Sequence, residues 1–281
     1  MKTAARVISI SNQKGGVGKT TTSVNLGASL ASKGQKTLVI DLDPQGNASS
    51  GFGIYKENVG TQSVYQVLIG EKDISQVKQG CNIPGLELVA ASTDLIGAEI
   101  ELVSAFARET RLKTAIEKVR EDYDYILIDC PPSLGLLTIN SLTAADQVLI
   151  PLQCEYYALE GLSHLMHTID LVKGSLNPEL ELMGILLTMF DGRTSLAKQV
   201  EKEVREHFGD KVFKTVIPRN VRLSEAPSHG MPAILYDIAS RGTQGYLAIA
   251  EEILAEPEST QNPAQAPAHN QTNQPEPVTT A

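Results

Sequence analysis

Eight consecutive residues, Lys14-Gly15-Gly16-Val17-Gly18-Lys19-Thr20-Thr21, put three glycines, two lysines and two hydroxyls within reach of one small anion. Gly15, Gly16 and Gly18 let main-chain N–H groups turn inward with no Cβ in the way, which suits phosphate oxygens. The apolar run at 6–11 (RVISIS) precedes this segment, and a helix-period stretch at 20–32 follows it. Strand, glycine loop and helix in that order aim a positive helix N-terminus at the same anion. Lys19 is then placed to reach the β- and γ-phosphates of ATP, and Thr20 to give its hydroxyl to Mg²⁺. The common spacing G-x-x-x-x-G-K-[ST] fails at one point, because position 13 is Gln13, and a second lysine, Lys14, opens the loop. Taken alone, Lys14 reads equally as a solvated loop lysine.

Two further segments end in carboxylates. The run at 36–41 (KTLVID) passes into Asp41-Leu42-Asp43-Pro44-Gln45-Gly46-Asn47. Open α/β sheets bind ligands at the C-terminal ends of their strands, so Asp41 is expected to help hold Mg²⁺ or its waters. Asp43 is expected to orient the attacking water, since phosphoryl transfer needs mainly positioning and charge stabilisation. A capping or loop role is the alternative for each. The run at 124–129 (DYILID) ends in Asp129-Cys130-Pro131-Pro132-Ser133. Asp129 is expected to hold Mg²⁺ directly or through water, and the Pro-Pro step to stiffen a γ-phosphate-sensing loop.

The elements that must position these groups follow from periodicity. Runs at 6–11, 36–41, 86–91, 124–129, 147–152, 183–189 and 212–217 read as short strands. Most are rich in Val, Ile and Leu without polar alternation, as in strands covered on both faces. Helical patterns lie between them at 20–32 and 158–173, and Leu196, Val200, Val204 and Phe208 recur every four residues on another. A terminal helix is expected over 240–255. Strand–helix alternation predicts an α/β, doubly wound, mainly parallel sheet with helices on both faces. Residues 1–255 are expected to form one P-loop ATPase domain. Residues 256–281 are rich in Pro, Gln, Asn and Thr and lack aromatics, and are expected to be a disordered acidic tail.

Composition narrows the classes. Hydrophobic residues make up 42% of the 281, enough for a sizeable core. No apolar run reaches the roughly 18 residues of a membrane helix, and residues 1–11 lack a signal-peptide pattern. Cys81, Cys130 and Cys154 have neither metal-ligand spacing nor an even count, which favours reduced thiols in the cytoplasm. The net charge is −9, yet five of those charges belong to Glu251, Glu252, Glu256, Glu258 and Glu276, beyond which no Lys or Arg occurs. Residues 186–245 hold nine Lys/Arg against seven Asp/Glu, a bias that permits DNA contact by a few placed cations.

The segments KGGVGKTT, DLDPQGN, YILIDCPPS, PLQCEYYALEG and PRNVRLSEAPSHG, in this order, resemble the ParA/Soj family of chromosome- and plasmid-partition ATPases, over about residues 5–254. The lysine at 14 matches the signature lysine of the deviant Walker A group. The resemblance implies a slow ATPase whose ATP-bound form is a homodimer. Lys14 would then reach across to the partner's nucleotide, in the manner of an arginine finger. Gly15 would lie at the two-fold contact, Asp43 would serve hydrolysis, and Glu155 would pair with Lys14 in the resting state. Pro218 and Asn220 fall where the family's adenine-binding loop lies. The resemblance further implies that the dimer binds double-stranded DNA without sequence preference and that a ParB-type activator stimulates hydrolysis and release. Such a protein would be cytoplasmic and nucleoid-associated. Arg193 and Arg222 match family DNA-binding arginines, while Arg219, Lys198 and Lys202 are candidates from charge alone. A surface or ATP-site ion pair is the alternative for each arginine.

Three rivals are weighed on residues. A MinD-type membrane relative would carry a basic terminal helix, whereas Glu251 and Glu252 make this one acidic. An iron–sulfur relative would need paired cysteines that the chain lacks. A nucleotide-switched positioning ATPase for a protein cargo stays open, because the motifs specify the switch better than the load. With the loop beginning at residue 14, no preceding helix-turn-helix and hence no operator-specific DNA binding is expected.

Overall fold

The computed structural model describes residues 4–255. The expected tail at 256–281 lies outside them. Seven strands, β1 (Arg6–Ile10), β2 (Thr37–Asp41), β3 (Gln79–Gly80), β4 (Leu86–Val89), β5 (Tyr125–Asp129), β6 (Gln147–Gln153) and β7 (Glu181–Thr188), form one sheet in the order β3-β4-β2-β5-β1-β6-β7. Every pairing is parallel except β3 with β4. β1 is central, between β5 and β6, and its register sets Ile10 against Asp129, which in turn faces Asp41 on β2. The two buried acids therefore end adjacent strands at the same height.

Successive strand residues feed opposite cores, as a pleat with period two requires. Val7, Leu38, Ile40, Ile126, Ile128 and Val148 join one apolar cluster with the helices Leu136–Ala144 and Ala158–Ser175. Ile8, Ile10, Val39, Leu127 and Leu149 join the other with the helices Lys19–Ser32 and Arg241–Ala255. Helices on both faces are thus a direct consequence of strands that are apolar on both faces. Pro151 stands in β6 beyond the last residue paired with β1, where its missing N–H leaves no gap in that ladder.

One expected strand is absent. Residues 212–217 run beside β7 without forming a regular ladder: Val212 bridges Ile185, and the Phe213 and Ile217 amides donate to the Ile185 and Leu187 carbonyls at 3.1 and 2.8 Å. Between them the Lys214 and Thr215 amides donate to the Glu252 carboxylate at 2.7 and 3.2 Å, which draws the segment off the sheet edge onto the terminal helix. The two-residue strand β3 and several short helices, among them Leu95–Glu101 and Arg111–Glu117, had no periodic signal long enough to read. No helix among the described residues is long and apolar enough to cross a membrane.

Candidate functional site

The cleft lies at the C-terminal ends of the strands, where the glycine loop leaves β1. Gly16 and Gly18 adopt φ of +74° and +91°, left-handed values that any Cβ would strain. The helix Lys19–Ser32 begins at Gly18 with no side-chain cap, so its first-turn N–H groups stay free for an anion. The loop is braced from beneath. Asn12 donates through Nδ2 to the Pro151 carbonyl at 2.8 Å and accepts from the Lys14 amide at 3.0 Å. Gln13, where common phosphate loops have glycine, donates to the Gly161 carbonyl at 3.0 Å and so ties the loop to the helix Ala158–Ser175. Thr188, at the end of β7, donates to the Val17 carbonyl at 2.7 Å.

Lys19 is buried, and its ammonium donates to the Lys14 carbonyl at 3.0 Å. Burial pushes its pKa down, while the charges of Asp129, Cys130 and Asp43 work to hold the proton. A phosphate at the loop would add further negative charge beside it. The Thr20 hydroxyl donates to Asp129 Oδ2 at 2.9 Å, and Ser23 donates to Oδ1 at 2.7 Å. A hydroxyl held by a buried carboxylate beside a glycine cradle fits an octahedral Mg²⁺ that takes most ligands from phosphates and water. Among the described residues no three His, Cys, Asp or Glu side chains cluster as a metal site.

Asp41 and Asp129 are both fully buried, and their pKa values are raised, first by burial; the charge of Asp41 adds to the rise at Asp129. Their partners differ. Asp41 accepts from the Ser49 amide at 2.8 Å, the Ser49 hydroxyl at 2.7 Å and the Asp43 amide at 3.1 Å. Its two oxygens are thereby engaged in fixing the loop 42–46 and the short helix Asn47–Gly51. Asp43 uses one oxygen to accept from the Gln45 amide at 2.9 Å, and the other has no hydrogen-bond partner among the described residues. Asp43 lines the cleft together with Gly15, Gly16, Lys19, Thr20 and Thr21.

The same cleft, of about 500 Å³, continues to a wall formed by Pro218, Arg219 and Asn220. Asn220 accepts from the Arg222 amide at 2.9 Å and so starts the helix Val221–Glu225. Fully buried Tyr246 closes the floor and shares a 3.1 Å hydrogen bond with Thr22. Arg219, a candidate DNA contact from its charge, is exposed at the cleft rim with its amide on the Phe190 carbonyl at 3.2 Å.

Lys14 does not line the cleft and pairs with Glu155 at 2.5 Å, both side chains being half-exposed. The remaining cations lie outside the cleft. Arg193 is engaged by Asp191 through two contacts of 2.8 and 2.6 Å, and Arg222 meets Glu225 at 2.8 Å and Asp237 at 3.3 Å. Lys198 and Lys202 are exposed on the helix Ser195–Phe208, with Glu206 3.6 Å from Lys202. Sequence reasoning missed Asn12, Gln13, Ser23, Ser49, Thr188 and Tyr246. Only Ser23 had a local signal, standing one helical turn beyond Lys19 and Thr20 on the face that meets Asp129.

Residues 5–182 match a family model described as an AAA domain. The chain is 59% identical to the sporulation initiation inhibitor protein Soj of Bacillus subtilis, over 89% of this chain and 98% of that protein. It is 58% identical to the chromosome partitioning protein ParA of Myxococcus xanthus, over 90% of this chain and 89% of the relative. Among solved structures, the cobyrinic acid a,c-diamide synthase of Mycobacterium smegmatis, bound to an ATP analogue and magnesium, superposes with a TM-score of 0.78. The two are 38% identical over 89% of this chain and 94% of that one.

Proposed function

The chain belongs to the Soj/ParA family of chromosome-partitioning ATPases, and from that premise we propose that it is an ATP-driven switch that carries DNA-bound cargo. ATP and Mg²⁺ are its cofactors, and hydrolysis to ADP and phosphate is its reaction. Residues 14–21 hold the phosphates through main-chain N–H groups, and Lys19 lies against the charge that grows on the β–γ bridge. Thr20, backed by Asp129, would hold the metal through its hydroxyl oxygen. Bound Mg²⁺ would supply charge neutralisation to the phosphates. Asp43 orients the attacking water with its unengaged oxygen, while Pro218 and Asn220 wall the base. Asp41 acts one step back, setting the loop that carries Asp43.

The observation that carries the switch is Lys14. It opens a phosphate loop, yet its ammonium faces outward and is neutralised by Glu155. A lysine directed away from its own cleft is available to a second copy's nucleotide once Glu155 is exchanged for phosphate. ATP would thus favour a homodimer with Gly15 at the contact, where a Cβ would meet open space in the monomer. Dimerisation doubles a sparse set of cations and makes DNA binding depend on ATP. Hydrolysis, accelerated by a ParB-type activator, would end the pairing and release DNA.

The test is binding to a random-sequence duplex at moderate salt, with ATP and with ADP, for wild type, Asp43→Ala and Arg222→Ala. The expected result is ATP-dependent binding that persists in Asp43→Ala and is lost in Arg222→Ala. Absence of binding in Asp43→Ala with ATP would remove the DNA carrier and leave an ATPase that positions a protein cargo.

A further inference from the structure

The helix Leu95–Glu101 turns Leu95, Ala98 and Leu102 of the following turn inward, and all three are buried. Ile96 and Ile100 point outward, 63% and 78% exposed. Glu99 falls on the inward stripe, one residue after Ala98 and four after Leu95, where an apolar side chain is the regular choice. Its carboxylate sits against Gly135. A Cβ built on that glycine would lie 2.1 Å from Glu99 Oε1 and 3.1 Å from the carboxyl carbon. Oε1 is buried with no hydrogen-bond partner among the described residues. A buried carboxylate oxygen left unpaired is costly, and folding alone gives no reason to keep it.

Gly135 is the last residue of the loop 130–135 that follows Asp129, and Pro132 of that loop lines the ATP cleft. Beyond Gly135 runs the helix Leu136–Ala144, nine residues long and with no side-chain cap on its N-terminus. The first-turn N–H groups of such a helix lack intrahelical partners and favour a carboxylate. The loop is otherwise closed on itself by Thr138, whose hydroxyl donates to the Ser133 carbonyl at 2.6 Å. An uncapped helix start and an unpaired carboxylate thus meet across one glycine, in contact but not bonded.

We propose that Glu99 is a positioning residue for hydrolysis, accepting the free amides at the start of the helix Leu136–Ala144 when the 130–135 loop takes its reactive position beside the γ-phosphate. The unpaired oxygen is then the mark of the resting arrangement, and Gly135 is glycine because a side chain would push the carboxylate aside. This rests on the ATPase reading above, since it assigns Glu99 no contact with nucleotide or metal. A displaced latch should slow the chemical step and leave ATP binding alone.

Single-turnover ATP hydrolysis, ATP Kd and Tm are measured for wild type, Glu99→Gln, Glu99→Ala, Gly135→Ala and the double variant Glu99→Ala/Gly135→Ala. The expected outcome is a fall in rate of roughly fivefold or more in each single variant, with ATP Kd within about twofold of wild type. The double variant should be no slower than Glu99→Ala, because Gly135→Ala acts only by displacing the Glu99 carboxylate. Wild-type rates in both Glu99 variants would overturn the proposal. So would parallel losses in rate, Kd and Tm, which are the signature of a packing role alone, or additive losses in the double variant. A wild-type protein that binds ATP but does not hydrolyse it would instead overturn the ATPase reading, and this inference with it.

Discussion

Asp129 and Asp41 face each other in register at the ends of β5 and β2, both without solvent exposure. Burial raises both carboxyl groups, so the folded chain holds protons there more tightly than the unfolded chain. The sign follows from linkage: the folded state gains from protonation, and stability falls as pH climbs from 3.8 toward about 8 at Asp129. Neutralising Asp129 should therefore stabilise the nucleotide-free protein while removing the carboxylate that backs Thr20. Asp129→Asn is expected to raise Tm at pH 8 by roughly 2–4 °C for each kcal/mol recovered, and by less at pH 5. Mg²⁺-dependent tightening of ATP binding should be lost in the same variant. Thermal melts from pH 5 to 8 check this. A lower Tm at pH 8 would mean that the hydrogen bonds from Thr20 and Ser23 outweigh the cost of the buried charge.

At the scale of elements, the wall of the ATP cleft depends on a strand that does not form. Residues 212–217 lead directly into Pro218 and Asn220; the Phe213 and Ile217 amides stay on β7 carbonyls, while the Lys214 and Thr215 amides are held by Glu252 of the terminal helix. Replacing Glu252 with Ala removes the acceptor for both amides. A loss of about 1–2 kcal/mol in stability is expected, with ATP Kd weakened severalfold as the wall loosens. Chemical denaturation and nucleotide titration of Glu252→Ala would show it; an unchanged Kd would place the wall under other control. The same segment shows what the sequence makes legible. VFKTVI has the composition of a strand, and a carboxylate 35 or more residues away decides otherwise, beyond the reach of any local pattern. The glycine loop, Asp43 and Asp129 are legible because their chemistry is packed into short runs next to strong strand signals. Gln13 and Ser49 are not, because each acts through a partner brought near only by the fold.

At the scale of the whole molecule, a chain of net charge −9 must bind DNA, if at all, through local cations that are not already neutralised. Arg193 and Arg222 are neutralised in this structure, by Asp191 and by Glu225 with Asp237. Arg193 holds the Asp191 carboxyl well below the usual aspartate range, so this pair stays ionised at any working pH. DNA phosphate must therefore displace a carboxylate at each arginine before it gains a contact. Such exposed pairs are weak and screened, so the exchange is feasible, but each one discounts the affinity of the surface. This gives a signed expectation for a residue that touches no DNA. Asp191→Asn should strengthen ATP-dependent binding to a random duplex by roughly a few-fold, since the proposed dimer would free two copies of Arg193. Phosphate contacts also release counterions, so the gain should be greatest at low salt and shrink as salt rises. Titrations of wild type and Asp191→Asn at several salt concentrations, with ATP and with ADP, separate the possibilities. Weaker binding by Asp191→Asn would mean that the carboxylate orients Arg193 for DNA rather than competing with it. A gain that is equal in ADP would place Arg193 outside the ATP-dependent surface altogether.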